Sequence, residues 1–134
     1  MPQKLTTINP PGLHPTAGYA HVTLAEVGRT AHLAGLCPLD AQGRVVGAGD
    51  LDAQIDQVVA NGMAILAAVG ATPADVVRSV IYVVSNESAV LGGAWARLTA
   101  SELAPALGTA STLLGVACLG YRNQLVEIDL TAAL

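Results

Sequence analysis

The chain has 134 residues, a length that suits one domain with its own core and is too short for two, so residues 1–134 are read as a single unit. Hydrophobic residues make up 52% and charged ones only 12%, about half of the roughly 25% usual in a soluble domain, so part of the surface is expected to be covered by another subunit. The formal net charge is -4, and the cations Lys4, Arg29, Arg44, Arg78, Arg97 and Arg122 are scattered; nucleic-acid binding, which rests on phosphate neutralisation, is excluded as an expectation.

The opening residues Met1-Pro2-Gln3-Lys4-Leu5 lack a basic segment followed by a signal-peptide apolar stretch, and no apolar run is long enough to read as a membrane span. A soluble cytoplasmic protein without membrane contact is expected. A short strand is predicted at Leu5–Ile8, after which Asn9-Pro10-Pro11-Gly12 breaks the chain. Residues 19–27 alternate with the two-residue period of a strand, Gly28-Arg29 makes a turn, and residues 30–36 form a second strand, so the two read as a hairpin. A third short strand is placed at 44–46, after the turn Asp40-Ala41-Gln42-Gly43.

Asp50 is placed as a helix N-cap, because its carboxylate can accept from the free amides of the first turn. The helix runs to about Val69 and stops at Gly70, which tolerates the left-handed conformation of a helix end. Leu51, Ile55, Val58, Val59, Gly62, Leu66 and Val69 form its apolar stripe, while Asp52, Asp56 and Gln57 take the wet side. Gly62 costs helix stability and marks close packing against the sheet. A cap-like Thr72-Pro73-Ala74-Asp75 precedes Val76–Val84, a buried strand by its β-branched density. A second helix is predicted at 88–101, Pro105 and Gly108 close that region, and two strands follow at 111–119 and 125–132, separated by Gly120-Tyr121-Arg122-Asn123.

This order predicts an α+β fold with a mixed sheet of about six strands and two helices packed on one face. Gly47-Ala48-Gly49 alone is no phosphate loop. Phe is absent, so Ala, Val, Leu and Ile fill the core, with Trp95 as its one large anchor. Cys37 and Cys118 lie in apolar strand-like segments, with no C-x-x-C and no zinc-type spacing to the histidines; two reduced, buried thiols and no metal are expected.

Several local motifs stand in a telling order: Gly18-Tyr19-Ala20-His21, Ala34-Gly35-Leu36-Cys37-Pro38-Leu39-Asp40, Gly43-Arg44-Val45-Val46, the helical stretch 54–61, Val69-Gly70-Ala71, Asp75-Val76-Val77-Arg78 and Leu125-Val126-Glu127-Ile128. Together they resemble the Rid (YjgF/YER057c/UK114) superfamily over almost the whole chain. The resemblance implies the chorismate-mutase-like YjgF fold, a homotrimer with a barrel-like centre, clefts at the subunit boundaries and no cofactor. In members that hydrolyse imines or enamines, an arginine on the penultimate strand grips the substrate carboxylate and a glutamate on the last strand positions water. Carried over residue by residue, the glutamate falls on Glu127 and a site tyrosine on Tyr19, while the arginine position holds Ser111. The usual Ser-Gly-Gln reads Ala34-Gly35-Leu36, and a site cysteine reads Leu113. Serine cannot replace the arginine's fork, so 2-aminoacrylate-type carboxylates are not the expected substrates.

Glu127 stands between Val126 and Ile128 in an apolar strand, where a carboxylate is costly unless it is paired or functional; a structural acceptor of backbone or hydroxyl bonds is the other reading. Tyr19 and His21 point to the same face of one strand, because residues two apart do so, and they could bring a donor and a base to the same cleft or form a half-exposed surface pair. Ser111 and Thr112 offer hydroxyls without a base at a recognisable spacing. Leu36 and Leu113 would give the pocket apolar walls, and Arg122 could lend a cation from its turn. His14 and His32 read as a loop side chain and a sheet-face residue. The expected function is a small-molecule enzyme acting by acid/base chemistry at a carbon–nitrogen or activated carbonyl centre, by imine or enamine hydrolysis or a related cyclisation, with Glu127, Tyr19 and His21 catalytic. The alternative is a non-catalytic trimer binding a metabolite or protein in the same clefts.

Overall fold

A computed structural model describes residues 4–26 and 28–134. The strands are β1 (Leu5–Ile8), β2 (Val22–Ala25), β3 (Thr30–His32), β4 (Val76–Val84), β5 (Ala110–Val116) and β6 (Val126–Ala133), and the helices α1 (Leu51–Ala68), α2 (Ser88–Thr99) and α3 (Ala104–Leu107). A four-stranded mixed sheet has the order β3-β6-β4-β5, with β6 antiparallel to both its neighbours and β5 parallel to β4. β1 and β2 form a separate antiparallel pair. A parallel bridge from Ala20 to Ala110 links it to the larger sheet, supported by the Ala20 amide on the Thr109 carbonyl at 3.0 Å and by the Ala110 amide on Thr23 Oγ1 at 2.8 Å.

Two sequence expectations are corrected here. The six strands are divided between two sheets rather than forming one, and the hairpin across Gly28-Arg29 does not form. β2 pairs with β1, while the 29–36 segment ladders onto β6: Leu33 N donates to Leu130 O at 3.1 Å, Leu36 and Ile128 exchange bonds of 2.6 and 3.1 Å, and Leu134 N donates to Arg29 O at 2.9 Å. The physical reason lies in burial. β6 presents the fully buried Ile128, Leu130 and Ala132, and pairing with it lets Ala31, Leu33 and Leu36 join the core. β2 instead carries the exposed Val22 and Leu24.

β4 shows why the larger sheet has one covered face. Ser79, Ile81 and Val83 are fully buried, the last two in one apolar cluster with residues of α1, α2 and α3, whereas Arg78, Val80, Tyr82 and Val84 alternate onto an open face. β6 continues the pattern, with Ile128 and Leu130 beneath the helices and Glu127 and Asp129 on the open side.

α1 begins where Asp50 accepts from the Ala53 amide at 3.1 Å and ends before Gly70, whose φ is 73°. Ile55, Val58, Val59, Gly62 and Leu66 are buried as the periodicity requires, but Val69, at 45% exposure, lies outside the core. A Cβ on Gly62 would sit 3.0 Å from Leu36 Cδ1, so this glycine does mark a close approach. Gln54 shares the buried face because it ties three backbone groups: it donates to Gly47 O and Asn123 O and accepts from Leu125 N at 2.7 Å. The Pro105 region, expected only as a break, forms the short helix α3, with the proline in the first turn where a missing N–H costs nothing. Trp95 packs against the core as expected. No helix of the described residues is long and apolar enough to cross a membrane.

Candidate active site

Glu127 stands on the open face of β6, opposite Tyr82 of β4, and is half-buried. Both of its donors meet the same oxygen: Cys37 Sγ and Gln124 Nε2 each donate to Oε1 at 3.2 Å. The other oxygen, Oε2, accepts no hydrogen bond among the described residues and lies over Gly35, where a Cβ would come within 2.6 Å of it. Among the described residues no lysine, arginine or histidine pairs with this carboxylate; the ion pairs are Lys4–Asp75, Arg44–Asp40, and Arg97 with Asp52 and Asp56.

Each group around Glu127 is itself held. Asn61 of α1 donates to the carbonyls of Cys37 and Leu39, both at 3.0 Å, and accepts from Gln57 at 2.9 Å, which pins the loop carrying the thiol. Gln124 is buried, accepts from Tyr121 N at 3.1 Å and donates to Val126 O at 3.0 Å. Asn123 beside it takes a φ of 67°, a left-handed conformation that asparagine tolerates, and so turns the chain into β6. Burial first, then the hydrogen bond and charge of Glu127, push the Cys37 thiol up to about 11, with Gln124 acting in the opposite sense. Next to this cluster a groove of about 890 Å³ runs along the β3 edge beneath α1, lined by His32, Gly35, Cys37, Asn61, Ile65 and Tyr121 among others.

A second cluster gathers beyond the β5 edge. Tyr19 OH and His14 Nε2 are 2.8 Å apart, His21 Nε2 donates to His14 O at 3.1 Å, and the His21 amide donates to Asn9 Oδ1 at 2.8 Å. Tyr19 and Trp95 meet edge to face with centroids 6.4 Å apart, and the indole N–H donates to Ala17 O at 2.9 Å. Ala17, Tyr19 and Trp95, together with Gly92, Ser111, Thr112 and Leu113, line a pocket of about 450 Å³, and the two histidines stand outside its lining.

Tyr19 and His21 therefore share a neighbourhood, but not as residues of one strand: both precede β2, in a bend interrupted by the Ala20 bridge. Within one protomer they do not meet Glu127, because β4 and β5 lie between. Ser111 points under the helices, bonded to Ser79 Oγ and to Leu107 O at 3.2 Å. On the opposite face Thr112 Oγ1 accepts from Arg78 Nη2 at 3.0 Å, so that guanidinium does not occupy the place Ser111 leaves. Leu113 is partly buried and lines the pocket, whereas Leu36, at 2% exposure, belongs to the core and only floors the groove. Arg122 is exposed and forms no ion pair among the described residues. Both cysteines are free, but the burial expected of them fails: Cys118 is exposed and Cys37 half-buried. No three His, Cys, Asp or Glu side chains gather as a metal site among the described residues.

The sequence reading missed Cys37, Gln124, Asn61 and His14. One signal was available for Cys37: it lies two residues from Gly35, on a segment that reaches the last strand, so both fall on the side of Glu127.

A family profile described as Endoribonuclease L-PSP matches residues 10–134. The chain belongs to this family, the Rid or YjgF/UK114 proteins. Among solved structures, this Rid chain is 39% identical to YyfB from Yersinia pestis, a Rid-family protein of unknown function, with a TM-score of 0.89 over 98% of this chain and 100% of that one. It is 25% identical to Rv2704 from Mycobacterium tuberculosis, a member of the YjgF/YER057c/UK114 family, with a TM-score of 0.59 over 88% of each. The YjgF gene product of E. coli, 24% identical with a TM-score of 0.62 over 81% of this chain and 83% of that one, shares the fold. No curated protein matches the chain.

Proposed function

We propose that this Rid protein is a small-molecule enzyme in which Glu127 performs acid/base chemistry at a carbon–nitrogen or activated carbonyl centre, in clefts between the protomers of a homotrimer. The observation that carries this reading is the state of the Glu127 carboxylate. It is half-buried, held through Oε1 alone, unpaired with any cation among the described residues, and left with Oε2 to spare. A carboxylate kept for structure is ordinarily paired or saturated with donors. One gripped through a single oxygen can accept a proton or orient a water with the other. Among the described residues its bonds come from side chains and none from the backbone, which favours chemistry over a purely structural or binding role.

Imine hydrolysis illustrates the roles. Glu127 takes a proton from water as the oxygen attacks the imine carbon and returns it to the nitrogen; it then takes the proton of the carbinolamine hydroxyl and passes it to the same nitrogen, which leaves as ammonia or an amine while the carbonyl forms. Without an arginine at position 111 there is no planar fork for a substrate carboxylate, and an anionic substrate would be repelled by Glu127. Neutral or cationic imines fit better. A trimer that set the β5-edge pocket of one protomer beside Glu127 of its neighbour would let Tyr19, with His21 near it, assist the carboxylate, and would let Trp95 and Leu113 receive an apolar substituent, with the Thr112 hydroxyl at the pocket wall. An RNA substrate is disfavoured: the net charge is -4, and Lys4, Arg44 and Arg97 are each engaged by an aspartate.

The test is turnover of neutral, cationic and carboxylate-bearing imines, generated in situ, by wild type and Glu127→Gln. Consumption of the first two classes, slowed by about 10²-fold or more in the variant, is expected. Equal rates in the two proteins, or no turnover of any compound, would overturn the reading.

A further inference from the structure

We infer that Cys37 is a positioning residue for Glu127: with Gln124 it holds Oε1 from one side, so that Oε2 is the oxygen presented to substrate. The inference rests on Glu127 being the acid/base group. The grip comes from three directions, the thiol from the loop after β3, the amide from the turn before β6 and the bare Cα of Gly35 beneath. None of the three is free to drift. Asn61 fixes the carbonyl of Cys37, the Leu36–Ile128 exchange fixes the residue between Gly35 and Cys37, and Gln124 is braced by its bonds to Tyr121 and Val126.

The thiol acts as a donor rather than a nucleophile. Beside an ionised carboxylate and partly withdrawn from water it stays protonated at neutral pH, and S–H is then its only useful hydrogen-bonding role. Among the described residues Glu127 is the one ionisable side chain bonded to it; Tyr82 stands opposite Glu127 on β4, and His32, Asp40 and Tyr121 line the adjoining groove. A serine at position 37 would retain a donor, whereas an alanine would leave Oε1 with the Gln124 amide alone and allow the carboxylate to swing.

Two measurements test this, the first without any substrate. The rate of Cys37 alkylation by iodoacetamide is followed against pH in the full chain, with the Cys37 and Cys118 peptides separated by mass spectrometry. In wild type the rise is expected near pH 11. In Glu127→Gln it is expected at lower pH, giving a rate at pH 9 that is higher by a factor of about three to ten. Should that variant fail to fold, Glu127→Asp, which withdraws the carboxylate from the thiol, is expected to shift the profile in the same direction. Superimposable profiles would overturn the thiol–carboxylate bond. The second measurement compares Cys37→Ser with Cys37→Ala on the imine panel: kcat is expected to fall about tenfold in the alanine variant with KM unmoved, and to be largely restored in the serine variant. Equal loss in both, or loss in neither, would overturn the positioning role. Wild type inactive on every imine would sink the proposed reaction, and the alkylation profiles would still decide the bond.

Discussion

Gly35 concentrates the demands of the site in one missing methyl group. A Cβ there would come within 2.6 Å of Glu127 Oε2 and 2.7 Å of its Cδ, so Gly35→Ala must displace the carboxylate or the strand. The expected cost is about 1–3 kcal/mol of stability, read by urea unfolding, together with loss of any Glu127-dependent turnover. An alanine variant as stable as wild type would show that the carboxylate can move aside freely. Glu127 itself was legible in the sequence because a carboxylate between Val126 and Ile128 is costly in an apolar strand and because the family resemblance sets its glutamate at that position; Asp129, two residues on, carries no such match. Its partners were not: Cys37 lies 90 residues away and Asn61 reaches back 22 and 24 residues to its two carbonyls, and no local periodicity records such contacts. His14 was hidden for a similar reason, since the chain must turn through Pro15 and Gly18 before its imidazole meets Tyr19.

Elements with strong internal signals were readable, and those defined by their partners were not. The capped, glycine-terminated α1 and the β-branched β4 lie where propensity and patterning put them. The false hairpin arose because alternation identifies a strand without saying what it pairs with, and β3 gains more buried apolar surface from β6 than it could from β2. One tie between elements has a pH signature. Lys4, just before β1, pairs with Asp75 ahead of β4. Burial pushes the Asp75 carboxyl up, but the bonds from Lys4 and the Thr72 amide outweigh it and hold the group below the usual aspartate range. A depressed folded value means that the stabilisation is fully present above the unfolded pKa of about 3.9 and is lost as pH falls through the folded value. Asp75→Asn is therefore expected to be less stable at neutral pH and to show a shallower loss of stability through the acid range, measured as unfolding midpoint against pH. Parallel curves for the two proteins would exclude the contribution.

For the molecule as a whole, the shortage of charge has a location. The open face of the larger sheet carries Val80, Tyr82 and Leu114, the last 40% exposed, and β2 exposes Val22 and Leu24. The homotrimer proposed above would cover this face, so light scattering should give about three times the 13.5 kDa of one chain. Leu114→Glu would bring three like charges towards the centre and is expected to yield monomers; a trimer surviving that change would put the contact elsewhere. The strand order also bears on how the protein is made. β6 inserts between β3 and β4, which leave the ribosome long before it. Until residues 126–133 emerge, β3 lacks the strand it pairs with and the apolar underside of α1 lacks the strand that covers it. The nascent chain must keep that greasy surface from sticking to its neighbours, and cooperative closure waits for contacts of high sequence separation, which are the slow ones.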